Sequence, residues 1–349
     1  MGKKFHKKSK EGARKMFLSC VIVARNEEKN IARCITSVLN NTKNIKDTEI
    51  LLVDSCSSDR TLEIARRYPI NIISLNHDWQ LSPAAGRFSG VNNTKGEYIL
   101  IIDGDMELLE GWLTPALKFM EENPKAAAAV GGHYDIYHQR DGGHLNPQTR
   151  RSCSAFDKLQ VVDYIFGSSI FRRSSLLEAG NFNPYLRAEE EAEISYRLKK
   201  KGYGLFFLPY KAVNHYCIPP DTFQHTSRRV KNKLWAGLGD MFSWCLRNKY
   251  YSIIWKRFWE YFLFSTLMII NALGIVYYAI SNKSILSLMF SLMPLIFIFL
   301  IGIKKRSLYQ GILSVLNYTL ISMNLISGLF RTIKDMSYYP RNVLWIKRI

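Results

Sequence analysis

The first hundred residues alternate short apolar runs with segments of helical periodicity. Strand-length runs of β-favouring residues occupy residues 17–24, 49–53, 70–75 and 98–103. Amphipathic segments that suit helices lie between them, at residues 28–39, 59–68 and 83–93. Because strands that alternate with helices are joined by helical crossovers, this pattern predicts a doubly wound, parallel sheet of the α/β class.

The pattern changes after residue 130. Residues 138–151 are polar with few apolar anchors, which predicts a mobile loop that could serve as a lid. Two further strands are predicted at residues 165–173 and 203–209. Residues 188–202 carry acidic side chains first, basic side chains last and a closing glycine, a charge order that stabilises a helix.

Long uncharged segments occupy the last third of the chain. Residues 261–280 and 285–303 are separated by four residues, and each has the length of about 20 residues needed to cross a bilayer. They are therefore predicted to form a transmembrane helical hairpin. A third segment, residues 308–330, carries several polar residues and glycines. It could span the membrane, but a re-entrant or interfacial helix is preferred because a third crossing would export a basic tail.

The charge distribution favours a membrane over nucleic acid as the partner. The formal net charge is +19, although 47% of the residues are hydrophobic. Basic residues are concentrated in residues 1–15, predicted to be a flexible arm, in residues 228–257 and after residue 304. The last two clusters border the apolar segments, which places both ends of the hairpin and the domain before it on the cytoplasmic side. No nucleic-acid partner is expected.

The strand at 98–103 leads into two aspartates one residue apart, Asp103 and Asp105. Open α/β sheets bind ligands at the carboxyl ends of their strands, and two carboxylates can share a divalent cation that also binds phosphate oxygens. A nucleotide-diphosphate site is one interpretation, and an ordinary Asp-Gly-Asp turn is the other. No Gly-x-Gly-x-x-Gly sequence, P-loop or CxxC pair occurs, which argues against nicotinamide cofactors, P-loop ATPases and structural zinc.

The order of five motifs resembles the family 2 glycosyltransferases with a GT-A fold, in which a Rossmann-like nucleotide-binding sheet is joined to an acceptor half. In chain order the motifs are residues 23–28, residues 53–61, Arg87, residues 103–105, and Gly180 followed by the acidic residues 190–193 and Arg197. The resemblance covers roughly residues 16–240. Together with the charge and apolar patterns, it divides the chain into a basic arm at 1–15, a GT-A domain at 16–240, an interfacial juxtamembrane segment at 241–260, the transmembrane hairpin at 261–303, and the third apolar segment with its tail at 304–349.

The resemblance also implies roles for individual residues. The nucleotide-sugar would be bound by Ala24, Asn26, Glu28, Asp54, Arg87 and Asp103, with Asp54 accepting a hydrogen bond from the base. A divalent cation, Mn or Mg, would be bound by Asp103, Asp105 and His215. The catalytic carboxylates would be Glu190 and Glu191, with Glu191 the general base, although three consecutive glutamates at 189–191 leave the register open. A structural role for this acidic helix start remains the alternative.

These residue types suit glycosyl transfer. A cation stabilises the charge that builds on the leaving diphosphate, and a carboxylate takes the proton of the attacking hydroxyl. Attack from the opposite face inverts the anomeric configuration, as the resembled family does. The predicted function is metal-dependent transfer from a nucleotide-sugar donor, by family resemblance a UDP-sugar, to a hydroxyl of a lipid-linked saccharide or glycolipid in polysaccharide or glycan synthesis.

Two other functions stay open at this point. A polyprenyl phosphate could be the acceptor, but it is already anionic and scarcely needs the base that Glu191 would supply. A non-catalytic, membrane-tethered protein that binds nucleotide-sugars is the other, and the presence of Asp103, Asp105 and Glu191 argues against it. The Gln-x-x-Arg-Trp sequence of processive synthases is absent from residues 229–235, which favours single addition.

Overall fold

The computed structural model describes residues 17–138, 147–151, 158–219, 222–281 and 292–349. The basic arm, most of the predicted lid and the start of the second predicted span lie outside the described residues. The described strands are β1 Leu18–Ala24, β2 Thr48–Asp54, β3 Asn71–Ser74, β4 Tyr98–Asp103, β5 Met106–Leu108, β6 Ala126–His138, β7 Pro147–Arg151, β8 Gln160–Val161, β9 Ser169–Arg172, β10 Gly204–Cys217 and β11 Leu344–Lys347.

The described helices are α1 Ile31–Thr42, α2 Thr61–Ala65, α3 Pro83–Asn92, α4 Leu113–Glu122, α5 Arg173–Glu178, α6 Glu190–Lys200, α7 Phe223–Lys231, α8 Leu234–Arg247, α9 Tyr251–Ser281, α10 Met293–Lys305 and α11 Leu308–Leu329. A 3₁₀ helix at Met336–Tyr338 precedes β11.

One mixed sheet runs through the described part of the chain in the order β11-β3-β2-β1-β4-β9-β6-β10-β5, with β7 beside β6 and β8 beside β10. The strands β3, β2, β1 and β4 are parallel neighbours, which confirms the predicted α/β arrangement. Beyond β4 the sheet changes character, because β9 is antiparallel to both β4 and β6.

Helices cover both faces of this sheet. Every residue of β1 is buried, and successive side chains enter opposite cores: Cys20 and Ile22 pack with α1 and α4, whereas Val21 and Val23 pack with α3 and α6. A strand that is buried on both faces reads as a continuous apolar run, which is why the sequence predicted it so clearly.

Part of the predicted loop and one predicted strand end differ from the structure. Residues 147–151 form β7 rather than loop, and the strand predicted at 203–209 continues to Cys217. Long-range pairing is the reason: β7 pairs antiparallel with the end of β6, and β6 pairs in parallel with β10 over most of its length. These polar strand ends lack the apolar alternation from which strands are recognised.

The last helices pack on one another through close backbone contacts. A Cβ atom on Gly239 in α8 would lie 2.2 Å from the carbonyl oxygen of Asn324 in α11. One on Gly328 would lie 2.3 Å from the carbonyl oxygen of Gly239. Glycine at both positions therefore allows α8 and α11 to touch along their backbones, and it holds α11 against the segment that follows the sheet.

Within the described residues, two helices are long and apolar enough to cross a membrane, namely α9 over Tyr251–Tyr277 and α11 over Leu308–Leu329. The first predicted span, residues 261–280, lies within α9. The second, residues 285–303, is described from residue 292 and contains most of α10. The predicted boundary at residue 240 falls within α8, so the interfacial segment of 241–260 comprises the end of α8 and the start of α9.

After α11 the chain returns to the edge of the sheet. The strand β11 pairs antiparallel with β3, with Leu344 opposite Ser74. Between α11 and β11, Tyr339 is 2% exposed, and its hydroxyl donates to the carbonyl oxygen of Gln80 at 2.9 Å. Its ring lies edge-on to three others, those of Trp79, Phe88 and Tyr185. The tail is therefore packed into the domain that begins at β1.

We expect Tyr339→Ala to destabilise the domain by about 3 kcal/mol, because it empties a buried aromatic site. Thermal unfolding of the detergent-solubilised protein should show a lower Tm, whereas Tyr338→Ala should leave it unchanged, since Tyr338 is 77% exposed. An equal effect of both substitutions would show that the tail is not packed as described.

Candidate active site

The carboxyl ends of β1, β2 and β4 meet at one edge of the sheet. Ala24 at the end of β1 is the register partner of Asp54 at the end of β2. Asp103 at the end of β4 is the partner of Val23 in β1. Parallel pairing thus brings three residues selected from the sequence, Ala24, Asp54 and Asp103, to the edge where α/β sheets bind ligands.

The loops that follow β1 and β2 are bonded to each other. Asn26 has a left-handed backbone, and its N–H donates to Ser57 Oγ at 2.9 Å. The N–H of Glu28 donates to Asp59 Oδ2 at 3.0 Å. The Glu28 carboxylate lies 3.5 Å from Arg60 Nε. Asn26 and Glu28 therefore shape the rim of the edge, with Glu28 turned towards a basic neighbour.

Asp54 is fully buried, and one of its two carboxylate oxygens has hydrogen-bond partners among the described residues. Its Oδ2 accepts from the Ser57 N–H at 3.1 Å and from Ser74 Oγ at 3.2 Å. Its Oδ1 is buried and has no hydrogen-bond partner among the described residues. Buried carboxylate oxygens are nearly always hydrogen-bonded, so this oxygen is suited to accept from a ligand donor.

Arg87 is the central cation of the edge. It is 3% exposed on α3, and its Nη2 lies 3.0 Å from both Asp103 Oδ1 and Glu191 Oε1. Its Nη1 donates to Glu190. Burial acts to lower the pKa of Arg87, but the three carboxylates outweigh it and raise the pKa, so the guanidinium stays charged.

The three consecutive glutamates have different partners. Glu189 pairs with Arg257 of α9, and Glu190 is buried against Arg87. Glu191 is also paired with Arg87, but 26% of its side chain is exposed. Burial, Glu190 and Asp103 raise the pKa of Glu191 to about 8, against the opposing effect of Arg87. Among the three, Glu191 combines a place beside Asp103 with access to solvent.

His215 lies between two aspartates. Its Nδ1 is 2.8 Å from Asp135 Oδ1, and its Nε2 is 3.4 Å from Asp105 Oδ2. Burial acts to lower the pKa of His215, but hydrogen bonds to both carboxylates raise it well above its usual range. His133 lies beside this group, its ring 5.0 Å from that of His215, and burial lowers its pKa to about 4.

These side chains can hold a divalent cation. The ligand atoms of His133, Asp135 and His215 lie within 4.8 Å of one another, and Asp105 adjoins His215. Carboxylate oxygens suit both Mn²⁺ and Mg²⁺, whereas imidazole nitrogens favour a transition metal, so the set fits Mn²⁺ better. A cation and the proton on His215 Nε2 would compete for the same nitrogen.

The three predicted metal ligands have different partners in the structure. Asp105 and His215 are brought together, whereas the carboxylate of Asp103 is engaged by Arg87 through both oxygens. Asp103 therefore pairs with the buried Arg87 and lies two residues before Asp105, which adjoins His215.

Three residues of the site were not selected from the sequence. His133 and Asp135 lie in the second half of β6, where the parallel register with β10 places Asp135 opposite His215. Glu27 lies near Asp105, and burial together with the Asp105 charge raises the pKa of Glu27 to about 7. The alternation in His133-Tyr134-Asp135 could have indicated that His133 and Asp135 lie on one face, since alternate residues of a strand share a face.

Residues 19–180 match the model of the family described as glycosyl transferase family 2. The chain carries a family 2 glycosyltransferase domain. It is 26% identical over 241 residues to Glycosyltransferase AglE of Haloferax volcanii, covering 66% of this chain and 75% of that protein. It is 23% identical over 273 residues to the dolichyl N-acetyl-alpha-D-glucosaminyl phosphate 3-beta-D-2,3-diacetamido-2,3-dideoxy-beta-D-glucuronosyltransferase of Methanococcus voltae, covering 73% and 81%.

Among solved structures, the chain resembles S. aureus TarS 1-349 in complex with UDP-GlcNAc, with a TM-score of 0.46 and 19% identity, over 58% of this chain and 59% of that one. The matched family region contains Asp54, Arg87, Asp103 and Asp105. Glu191 and His215 follow it along the chain. The family 2 domain makes the chain a glycosyltransferase, as the motif order predicted.

We expect Arg87→Met to lower the Tm of the glycosyltransferase by several degrees, because it leaves three carboxylates without their buried counter-ion, a change that costs about 3–5 kcal/mol. Arg67→Met is the matched control. Arg67 is 69% exposed and pairs with Glu63 one helical turn away, so its loss should leave the Tm nearly unchanged. A wild-type Tm for Arg87→Met would contradict the network described here.

Proposed function

We propose that the protein transfers a sugar from a UDP-sugar to a hydroxyl of a lipid-linked saccharide, with the aid of a divalent cation and with inversion. One observation carries the proposal. Three kinds of group lie at one edge of the sheet. They are the buried oxygen Asp54 Oδ1, which has no hydrogen-bond partner among the described residues, the pair of Asp105 and His215, and the partly exposed carboxylate of Glu191. These are the groups required for a base, a diphosphate and a hydroxyl nucleophile.

The donor would lie along the ends of β1, β2 and β4. Uracil offers an N–H donor that matches Asp54 Oδ1, and pairing them would satisfy both groups. Ala24, Asn26 and Glu28 form the rim beside this position. Asp105 and His215 would hold the cation near the diphosphate, with Asp103 between that cation and Arg87. When bound, the cation supplies positive charge to the departing UDP.

Glu191 is the proposed general base. Its partly exposed carboxylate shares the Arg87 guanidinium with Asp103, and a raised pKa suits a group that takes a proton near neutral pH. Arg87 holds Glu190 and Glu191 at fixed positions relative to Asp103, so it would set the distance between base and donor. Glu190 is buried against Arg87 and acts as its partner rather than as a second base.

The acceptor is proposed from the membrane segment and the relatives. The relative from Methanococcus voltae is named for transfer to a dolichyl phosphate that already carries a sugar, which is a hydroxyl acceptor held in a lipid. The helix α9 begins directly after α8, which packs against the catalytic domain. A saccharide on a lipid carrier would therefore be presented close to the sheet edge.

The proposed topology has an even number of crossings. The pairing of β11 with β3 keeps the tail on the side of the catalytic domain. Both ends of α11 also lie there, because the Phe223 N–H donates to Tyr309 Oη and Arg331 donates to Asp240. Most exposed side chains of α11 and of the residue after it lie along one stripe, in which Thr319 alone is polar: Leu308, Ile312, Leu316, Thr319, Met323, Ile326 and Phe330. We infer that the hairpin predicted at residues 261–303 crosses the bilayer and that α11 lies at its cytoplasmic surface.

We expect the purified enzyme to transfer one sugar from a panel of UDP- and GDP-sugars to a membrane lipid extract, faster with Mn²⁺ than with Mg²⁺. Asp105→Ala should remove the response to Mn²⁺. Glu191→Gln should lower kcat by at least about a hundredfold while UDP still binds, because it removes the proton acceptor. Glu122→Gln, on the exposed end of α4, is the control and should behave as wild type.

The labelled product identifies the acceptor. A sugar attached through another sugar supports the proposal, whereas a sugar attached directly to a lipid phosphate would replace it with the polyprenyl phosphate acceptor. Binding of UDP without turnover of any donor would contradict the enzyme proposal.

The topology is tested in sealed vesicles with a membrane-impermeant amine reagent and peptide mass spectrometry. Lys304 follows the hairpin, Lys334 follows α11, and Lys118 on α4 marks the catalytic domain. We expect all three to be modified from the same side. Modification of Lys334 from the side opposite to Lys304 would show that α11 crosses the membrane.

A further inference from the structure

A cavity of about 980 Å³ lies where the catalytic domain meets the start of α9. Its walls come from α6, α7, α8 and the first turns of α9. Glu189 lines it, two residues before the proposed base Glu191. The cavity therefore adjoins the sheet edge but contains none of the residues placed around the donor.

The lining carries an excess of positive charge. Six basic and two acidic side chains line the cavity. Each acid already has a cation, since Asp163 pairs with Lys199 and Glu189 pairs with Arg257. The remaining four basic side chains have no ion pair within the described part of the chain; they are Lys200, Arg229, Lys249 and Lys256.

Three N–H groups of the lining are buried without a partner. They are Arg229 Nε, Trp235 Nε1 and Arg257 Nε, and none has an acceptor among the described residues. The Arg229 guanidinium lies over the Trp235 ring at 4.4 Å, which holds it in place. Buried donors without acceptors are costly, and three of them on residues that line one basic cavity suit an anion with several oxygens.

The cavity also lies at the level expected for lipid headgroups. Ser252, Lys256 and Tyr261 belong to the first turns of α9, the helix proposed to enter the bilayer. Trp255 and Trp259 on the same turns are 69% and 44% exposed, as in the aromatic belt of membrane proteins. An anion attached to a lipid would reach the cavity without leaving the membrane surface.

We propose that this cavity binds the phosphate or diphosphate group that joins the acceptor lipid to its saccharide. The inference rests on the proposed function and extends it: with its phosphate held by Arg229, Trp235 and Arg257, the saccharide would extend past Glu189 towards Glu191. Arg229 is then a binding residue for the acceptor, separate from the residues that bind UDP.

The test uses the full chain in a neutral detergent and measures binding of farnesyl phosphate by calorimetry. Farnesol and inorganic phosphate are the two comparison ligands. Arg229→Gln should weaken farnesyl phosphate binding by at least about tenfold, because a charged hydrogen-bond donor is lost. Trp235→Phe keeps an aromatic ring at this position but removes the N–H, and it should weaken binding about threefold. Lys304→Gln, a basic residue at the end of α10 outside the cavity, should bind as wild type.

Binding of UDP with Mn²⁺ is measured on the same samples. Retention of UDP binding by the Arg229 variant shows that the variant is folded. Absence of UDP binding by the wild type would overturn the proposed function, and the farnesyl phosphate measurement would still test the cavity. Wild-type affinity of Arg229→Gln for farnesyl phosphate would overturn the cavity proposal. Equal binding of farnesol would overturn recognition of the anion, and equal binding of inorganic phosphate would overturn the lipid as its source.

Discussion

The buried guanidinium of Arg87 lies among carboxylates from two separate parts of the chain. Asp103 ends a central strand, whereas Glu190 and Glu191 begin a helix that follows about ninety residues later. Removing any of these charges from water is unfavourable, so each is stable there because the others are present. The result is a fixed geometric relation between the strand end that would hold the donor and the helix start that would hold the base.

This network also gives the three consecutive glutamates different surroundings. A run of three identical side chains gives no indication of register, and the three differ only in what surrounds them. Glu189 faces α9, Glu190 is buried, and Glu191 keeps access to solvent beside Asp103. All three lie at the helix N-terminus, where the macrodipole favours negative charge. Tertiary contacts therefore distinguish three side chains that the sequence alone does not.

The predictable part of the protein is the part with strong local patterns. The strands before residue 103 are short apolar runs, and the polar residues at their ends, such as Asp54 and Asp103, follow from the strand ends. His133 and Asp135 depend on the register between β6 and β10, which joins segments about eighty residues apart. The buried state of Glu27 likewise depends on a neighbouring loop. Pairings of this kind are set by the whole sheet and leave little trace in local sequence.

The strand β11 has a consequence for the order in which the protein is made. It covers the edge of β3, but it follows the apolar helices along the chain. During synthesis, the edge of β3 stays open while α9 to α11 emerge from the ribosome, and exposed sheet edges can pair wrongly. Insertion of the predicted hairpin into the bilayer would hold the nascent domain at the membrane surface during that interval. Completion of the sheet is then a late event that depends on the helices having reached their places.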